Sequence, residues 1–204
     1  MKRDMIKIET PEGFKLSVPA HVVATTFISA ALAQVGVVQQ VAAPAQALSA
    51  QVIPDVGVYW PEQGGINGGW VAAHGEVPAH YLVWASEDVG KHKWGGYEKE
   101  SAATCKRDGQ ANTKALLAEG GHPAAEAAAK YSADGHSDFF LGAAAEQYHG
   151  WLNVPGIFTK DRYYWSSSQR SADYAFYMYF DVGLQHNFGK VYECLVRPVR
   201  RAFI

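Results

Sequence analysis

From Leu16 through Pro54 the chain carries not one Asp, Glu, Lys or Arg, whereas charged residues recur throughout the stretch from Asp55 to the C-terminus. That shift in composition divides the sequence into residues 1–54 and residues 55–204. The centre of the first part, HVVATTFISAALAQVGVVQQVAAPAQALSA, is rich in alanine and apolar on nearly every side, the pattern of a helix that needs neighbours on more than one face. Its lead, MKRDMIKIETPEGFK, is long for a secretory signal and contains Asp4, Glu9 and Glu12. The apolar run from Val22 to Val38 falls short of the ~20 residues that a bilayer requires, and it includes Thr25, Thr26 and Gln34. An oligomerisation element, such as a trimer stalk in a homo-oligomer, therefore ranks above a membrane anchor. An ordinary buried helix of the same domain is the remaining reading.

With 204 residues, 48% of them hydrophobic and 19% charged, the chain is long enough for one well-buried core plus an appendage. A formal charge of -2 supplies no basic field, which excludes nucleic acid as a partner on electrostatic grounds. Cys105 and Cys194 are too few for a disulfide framework and too far apart for a CxxC motif, so both read as reduced or buried thiols. None of the histidines, among them His74, His80, His92, His136 and His149, falls in a metal-binding spacing such as HExxH.

After Asp55 the texture is one of turns and aromatics. VGVYWPEQGGINGGWVAAHGEVPAHYLVWAS reads as short strands broken by glycine turns. DGQANTKALLAEGG predicts a helix capped by Asp108 or Asn112 and stopped at Gly120 and Gly121. HPAAEAAAKY predicts a second, with Pro123 in its first turn, and a third is expected from Ala143 to Trp151. Strands return after Pro155, with DVG expected as the turn that joins SADYAFYMYF to a final strand, YECLVRPVRR. The class is α+β, because strands and helices do not alternate as βαβ units.

Within SADYAFYMYF, alternation places Phe176, Met178 and Phe180 on one face and Asp173, Ala175, Tyr177, Tyr179 and Asp181 on the other. If the first face is core, the tyrosines stand outside. Tyrosine offers a rigid contact area with a polar tip, which suits a binding surface. The competing expectation is that both faces are covered.

GHSDFFL (135–141), YYWSSSQRSA (163–172), the spaced Phe180, Gly183, Gln185, Lys190 and Glu193, and the closing VRPVRR (196–201) resemble phage and prophage domains of C-type lectin-like fold. That family is related to the Lcl C-terminal domain and includes the variable proteins of diversity-generating retroelements. WPEQGG (60–65) and GGY (95–97) are similar to its earlier part, so the resemblance spans roughly 55–201, with a variable region at about 163–201. It implies a formylglycine-generating-enzyme-like scaffold of short strands, hairpins and a few short helices, displaying a surface that a retroelement diversifies. The scaffold positions it implies are Trp165, Ser166, Ser167, Ala172, Phe180, Gly183, Gln185, Lys190, Glu193, Arg197 and Arg200. The variable, ligand-binding positions are Asp173, Tyr174, Tyr177, Tyr179, Val182, Leu184, His186, Asn187, Phe188, Val191, Tyr192 and Leu195. One departure is Leu141-Gly142, where the family opens its third helix with Leu-Pro.

The expected function is thus a non-enzymatic ligand- or receptor-binding protein of a phage, prophage or bacterium, displayed on a virion or a cell envelope, with a protein or cell-surface ligand. A structural or assembly protein of a phage particle is the alternative. An enzyme ranks lower: the formylglycine-generating enzyme depends on reactive cysteines, Cys105 and Cys194 form no close motif, and no GxSxG elbow surrounds Ser166, Ser167 and Ser168. Trp165 and these serines read as core and turn residues whose hydroxyls bond backbone where the chain changes direction. Arg197, Arg200 and Arg201 read as partners of carboxylates in the same domain. No cofactor is expected. Calcium-mediated sugar binding would need a run such as Glu-Pro-Asn, which does not occur, while calcium held elsewhere for structure stays open.

Overall fold

A computed structural model of the chain describes residues 5–9, 15–19 and 52–204. The chain divides into two compact units, Met1–Val52 and Ile53–Ile204. In the first, β1 (Met5–Glu9) and β2 (Lys15–Pro19) pair antiparallel in a register that sets Ile6 against Val18 and Ile8 against Leu16. The Ala-rich helix expected after Val22, and with it the stalk and membrane readings, lies outside the described residues. Among those that are described, no helix is long and apolar enough to cross a membrane.

The second unit is mixed α+β, in the expected class. One five-stranded sheet has the order β3 (Tyr59–Trp60), β4 (Gly65–Val71), β5 (His80–Trp84), β12 (Pro198–Ala202), β7 (Phe140–Leu141). The other has the order β10 (Leu184–Gly189), β9 (Tyr174–Tyr179), β8 (Tyr163–Gln169), β11 (Glu193–Leu195), β6 (Lys91–Lys93). The end of the chain therefore returns to the start of this unit: Val199 pairs with Trp84 and Ala202 with Tyr81.

Three α-helices are described in this unit. In α1 (Gly109–Glu119), the Asp108 carboxylate accepts the Ala111 N–H at 3.0 Å, and Gly120 closes the helix at φ +73° by donating its N–H to Leu116 O. Pro123 opens α2 (Pro123–Lys130), where its missing N–H costs nothing. Before α3 (Ala144–Asn153), the Glu146 carboxylate takes the Ala143 N–H at 2.7 Å and the Gly109 N–H at 3.0 Å, which ties the starts of α1 and α3 together. Arg201 then binds both Glu146 (2.8 Å) and Asp108 (2.9 Å), fastening β12 to the two helix starts. Burial of Glu146 pushes its carboxyl upward, against the pull of Arg201.

The inner faces of the two sheets meet in a core of Leu82, Trp84, Phe140, Tyr164, Met178, Phe180 and Val199, closed by Val154 and Phe158. A second core lies where Leu116 of α1 and the alanines of α2 cover Trp94, Trp165, Ala175 and Cys194.

The DVG expectation needs correction. Its glycine does turn the chain, but into β10, a strand that the alternation rule does not reveal: Leu184 pairs with Tyr179 and Gly189 with Tyr174. YECLVRPVRR is likewise not one strand. It divides into β11 and β12, which belong to different sheets. Two features explain this: LQHNFG alternates too polar a pattern to signal a strand, and Pro198 has no N–H to continue a ladder.

Candidate binding face

On the face of the second sheet that bears Trp165, side chains from β8, β9 and β10 line up in cross-strand rows. Ala175 lies opposite Phe188; Trp165, Tyr177 and His186 form the next row; Tyr163, Tyr179 and Leu184 form the last. Exposure rises along these rows as the cover of α1 and α2 runs out. Trp165 is fully buried, Tyr177 is 8% exposed, and Tyr163 and Leu184 are 40% and 47% exposed. The aromatic rings interlock rather than stand apart. Tyr163 lies 4.5 Å from Tyr177 and meets Tyr179 edge-on at 5.3 Å, while Phe188 stacks on Tyr192 at 4.5 Å.

Both faces of β9 are therefore covered near its middle, and the reading of Tyr177 as a free outward tyrosine is corrected. Tyr177 packs beneath Tyr163 and Phe188, and burial raises its phenol above the ordinary tyrosine range. Tyr179 and Phe188 are half-buried in the same cluster.

The other variable-position residues divide by place. Tyr174, Leu184, His186, Val191 and Tyr192 are exposed, as is Val182 at the β9–β10 turn. Asp173 is half-buried just before β9, and its carbonyl accepts the Lys190 N–H. Asn187 pairs with Phe176 and so belongs to the opposite face, where Leu195 also packs, against the inter-sheet core. The twelve positions do not form one surface. The open set is centred on the last row and on Tyr192.

The scaffold positions are mostly internal. Ser166 Oγ donates to Phe176 O and Ser168 Oγ to Cys105 O, both from within β8 at a register shift between Trp165 and Gln169, not where the chain changes direction. Ser167 is buried, and its N–H donates to Gly142 O. Gly183 has φ +72°, and a Cβ there would lie 2.5 Å from the Trp151 ring, so only glycine fits. Gln185 donates to Ala144 O, which ties β10 to α3. Lys190 is wholly buried. Its ammonium donates to Lys99 O and Gln169 Oε1, both at 2.8 Å, and sits 4.7 Å from the Trp94 ring centre. Arg197 pairs with Asp88 at 2.6 Å and Arg200 with Asp138 at 2.7 Å. Phe180 stacks on Phe158 at 3.6 Å. Glu193 is the exception, because it is exposed and lines a cleft beside the aromatic rows.

Sequence reasoning missed several members of this face. Tyr163 shares the parity of Trp165 and so was within reach of the alternation rule. Lys91, Asp161 and Arg162, which line the same cleft, come from segments whose convergence no spacing announces. Cys194 forms part of the cleft wall, and burial pushes its thiol up to about 12. No protein-family model and no curated protein matches this chain.

Proposed function

We propose that the chain is a non-enzymatic ligand- or receptor-binding protein, a C-type lectin-like scaffold related to the variable proteins of diversity-generating retroelements. It would present its aromatic face to a protein or cell-surface ligand from a virion or a bacterial envelope. The observation that carries this reading is the graded aromatic face: a rigid interlocked cluster whose outer members are exposed while its inner members belong to the core. Exposed contiguous aromatic surface marks interaction sites, and tyrosines held by their neighbours bind with little loss of conformational entropy.

Other features support it. Pairing of the last strand with β5 encloses residues 85–197 between an early and a late strand, a closure suited to carrying variable loops and hairpins. The internal bonds of Lys190, Arg197 and Arg200 hold that frame without help from the exposed positions. A nucleophilic role is a poor fit for Cys194, because its buried thiol stays protonated at neutral pH.

The test is a library randomised at Tyr174, Leu184, His186 and Tyr192 and selected against unrelated protein targets. The expected result is binders that melt within a few degrees of the parent. A library that unfolds, or that yields no binder to any target, would overturn the proposal.

A further inference from the structure

Residues 96–101 and the turn between α1 and α2 line a second cleft, of about 380 Å³. Small-ligand sites run from roughly 300 to 1,000 Å³, so its size suits one side chain or a small molecule. Glu100 and Glu119, the last residue of α1, stand on its walls, and buried His122 and Ser101 complete them. Backbone holds both carboxylates: Glu119 Oε1 accepts the Ala102 N–H at 2.9 Å, and Glu100 Oε1 accepts the Ala172 N–H at 3.1 Å.

The His122 side chain is only 3% exposed, and its Nδ1 lies 3.1 Å from Trp94 O. A carbonyl only accepts, so Nδ1 carries the proton, and in the neutral ring Nε2 is an acceptor. Nε2 stands 3.3 Å from Glu119 Oε2, a second acceptor. Two acceptors so close, one of them on a buried ring, need a donor between them. The cleft also lies at the electronegative C-terminal end of α1: Gly120 and Gly121 line it, and the last turn of the helix has no basic residue. Among the described residues no lysine or arginine is paired with Glu98, Glu100, Glu119 or Asp173. Lys99 is the opposing charge that lines the cleft, and it is exposed. The arrangement favours a cation with several N–H donors.

Tyr97 joins this cleft to the aromatic face. It is 45% exposed, as Tyr174 and Tyr192 are at 46% and 55%. The Asp173 carboxylate raises its phenol above the ordinary tyrosine range, and Glu98, Tyr174 and Tyr192 are near enough to add to the effect. The loop is anchored there, because the Gly95 N–H donates to Lys190 O at 3.3 Å and the Lys190 ammonium donates to Lys99 O at 2.8 Å. We propose that the cleft receives an arginine side chain of a protein partner whose adjoining residues lie on Tyr97, Tyr174 and Tyr192. The planar fork of donors serves Glu119, His122 and Glu100 together, and its face suits the Tyr97 ring. A free cation would leave the three tyrosines uncovered, which favours a protein chain as its source. The inference rests on the reading of the aromatic face as a binding surface and names the partner's chemistry at the Tyr192 end.

The experiment titrates the full chain with the peptide acetyl-Gly-Arg-Gly-amide, its neutral citrulline isostere and guanidinium chloride, followed by NMR of the Tyr97 and His122 rings. The arginine peptide should bind with a Kd of about 1 mM or tighter, and the citrulline peptide and guanidinium each at least about tenfold more weakly. Glu119→Gln should weaken the arginine peptide by about tenfold, whereas Lys99→Met, which removes the opposing charge, should tighten it by about threefold. Circular dichroism of both variants should stay that of the parent. If Glu119→Gln alters the fold, the citrulline peptide and Lys99→Met decide the matter, since neither changes a packed residue. Ring signals unshifted at ~10 mM arginine peptide, equal affinity for the citrulline peptide, or weaker binding by Lys99→Met would overturn the inference. Guanidinium as tight as the peptide would overturn the assignment to a partner chain. If the randomised library still yields binders while these rings stay unshifted, the aromatic face stands and only this cleft falls.

Discussion

Tyr164, Met178 and Phe180 leave β8, β9 and the end of β9 one residue out of step with Tyr163, Tyr177 and Tyr179, and the two sets meet different surroundings. The first set closes against Trp84 and Phe140 from the facing sheet and against Phe158, which precedes β8, and is almost completely buried. The second faces no other sheet among the described residues: Tyr177 is covered by Tyr163 and Phe188 of its own sheet, and exposure rises from Tyr177 to Tyr163. Aromatic content is similar on both sides of the strand. The length of the opposing layer decides which side is core and which is surface, because burial depends on what packs above a residue and not on its own type.

Four substitutions or titrations separate the two sides. Phe180→Ala removes the ring stacked on Phe158 and should cost about 3–5 kcal/mol in chemical denaturation. A parental stability would break the assignment of that face as the main core. Tyr177→Ser, at the middle of the graded face, should cost about 2 kcal/mol, between core and surface. A cost below ~0.5 kcal/mol would return Tyr177 to the exposed set.

Cys194 gives a pH version of the same comparison. Its folded thiol titrates near 12, above the ordinary value of 9.0, so the native state holds its proton where the unfolded chain has lost it. Its contribution to stability is complete below pH 9 and declines as pH rises from 9 towards 12. At pH 10 the wild type should have lost about 1 kcal/mol relative to Cys194→Ala, measured as the change in unfolding free energy from pH 8. An identical alkaline slope in the two proteins would show that the thiol is solvated. The smallest effect is expected from Leu184→Ser with Tyr192→Ser, both on exposed positions. Stability should stay within ~0.5 kcal/mol of the parent, and a larger loss would extend the core to the last row.

Local chemistry was readable in advance. The Asp108 cap, the Gly120 stop and Pro123 in the first turn of α2 each reflect the backbone needs of a helix end, which depend on residues within one turn. The α+β class came from the order of strand and helix patterns. The burial of Tyr177 did not, because its cover comes from Tyr163 and Phe188, which reach it only through the pairing of β9 with β8 and β10. β10 was missed because His186, Asn187 and Gln185 dilute the alternation of Leu184 and Phe188. Of the site, exposed Tyr174, Leu184, His186 and Tyr192 were among the residues named from sequence. Lys91 and Arg162 were not, since only the pairing of β6 with β11 and the entry into β8 bring them to one cleft.

The central proposal is a surface that varies while its frame does not, and sequencing tests that most directly. Deep sequencing of the region that encodes Gln169 to Leu195, in a growing population that carries the gene, should find substitutions concentrated at exposed positions such as Tyr174, Leu184, His186 and Tyr192. Gly183, Gln185 and Lys190, which the turn and the buried bonds hold in place, should remain fixed. Substitutions spread evenly over both groups, or a region no more variable than the rest of the gene, would contradict a diversified binding face.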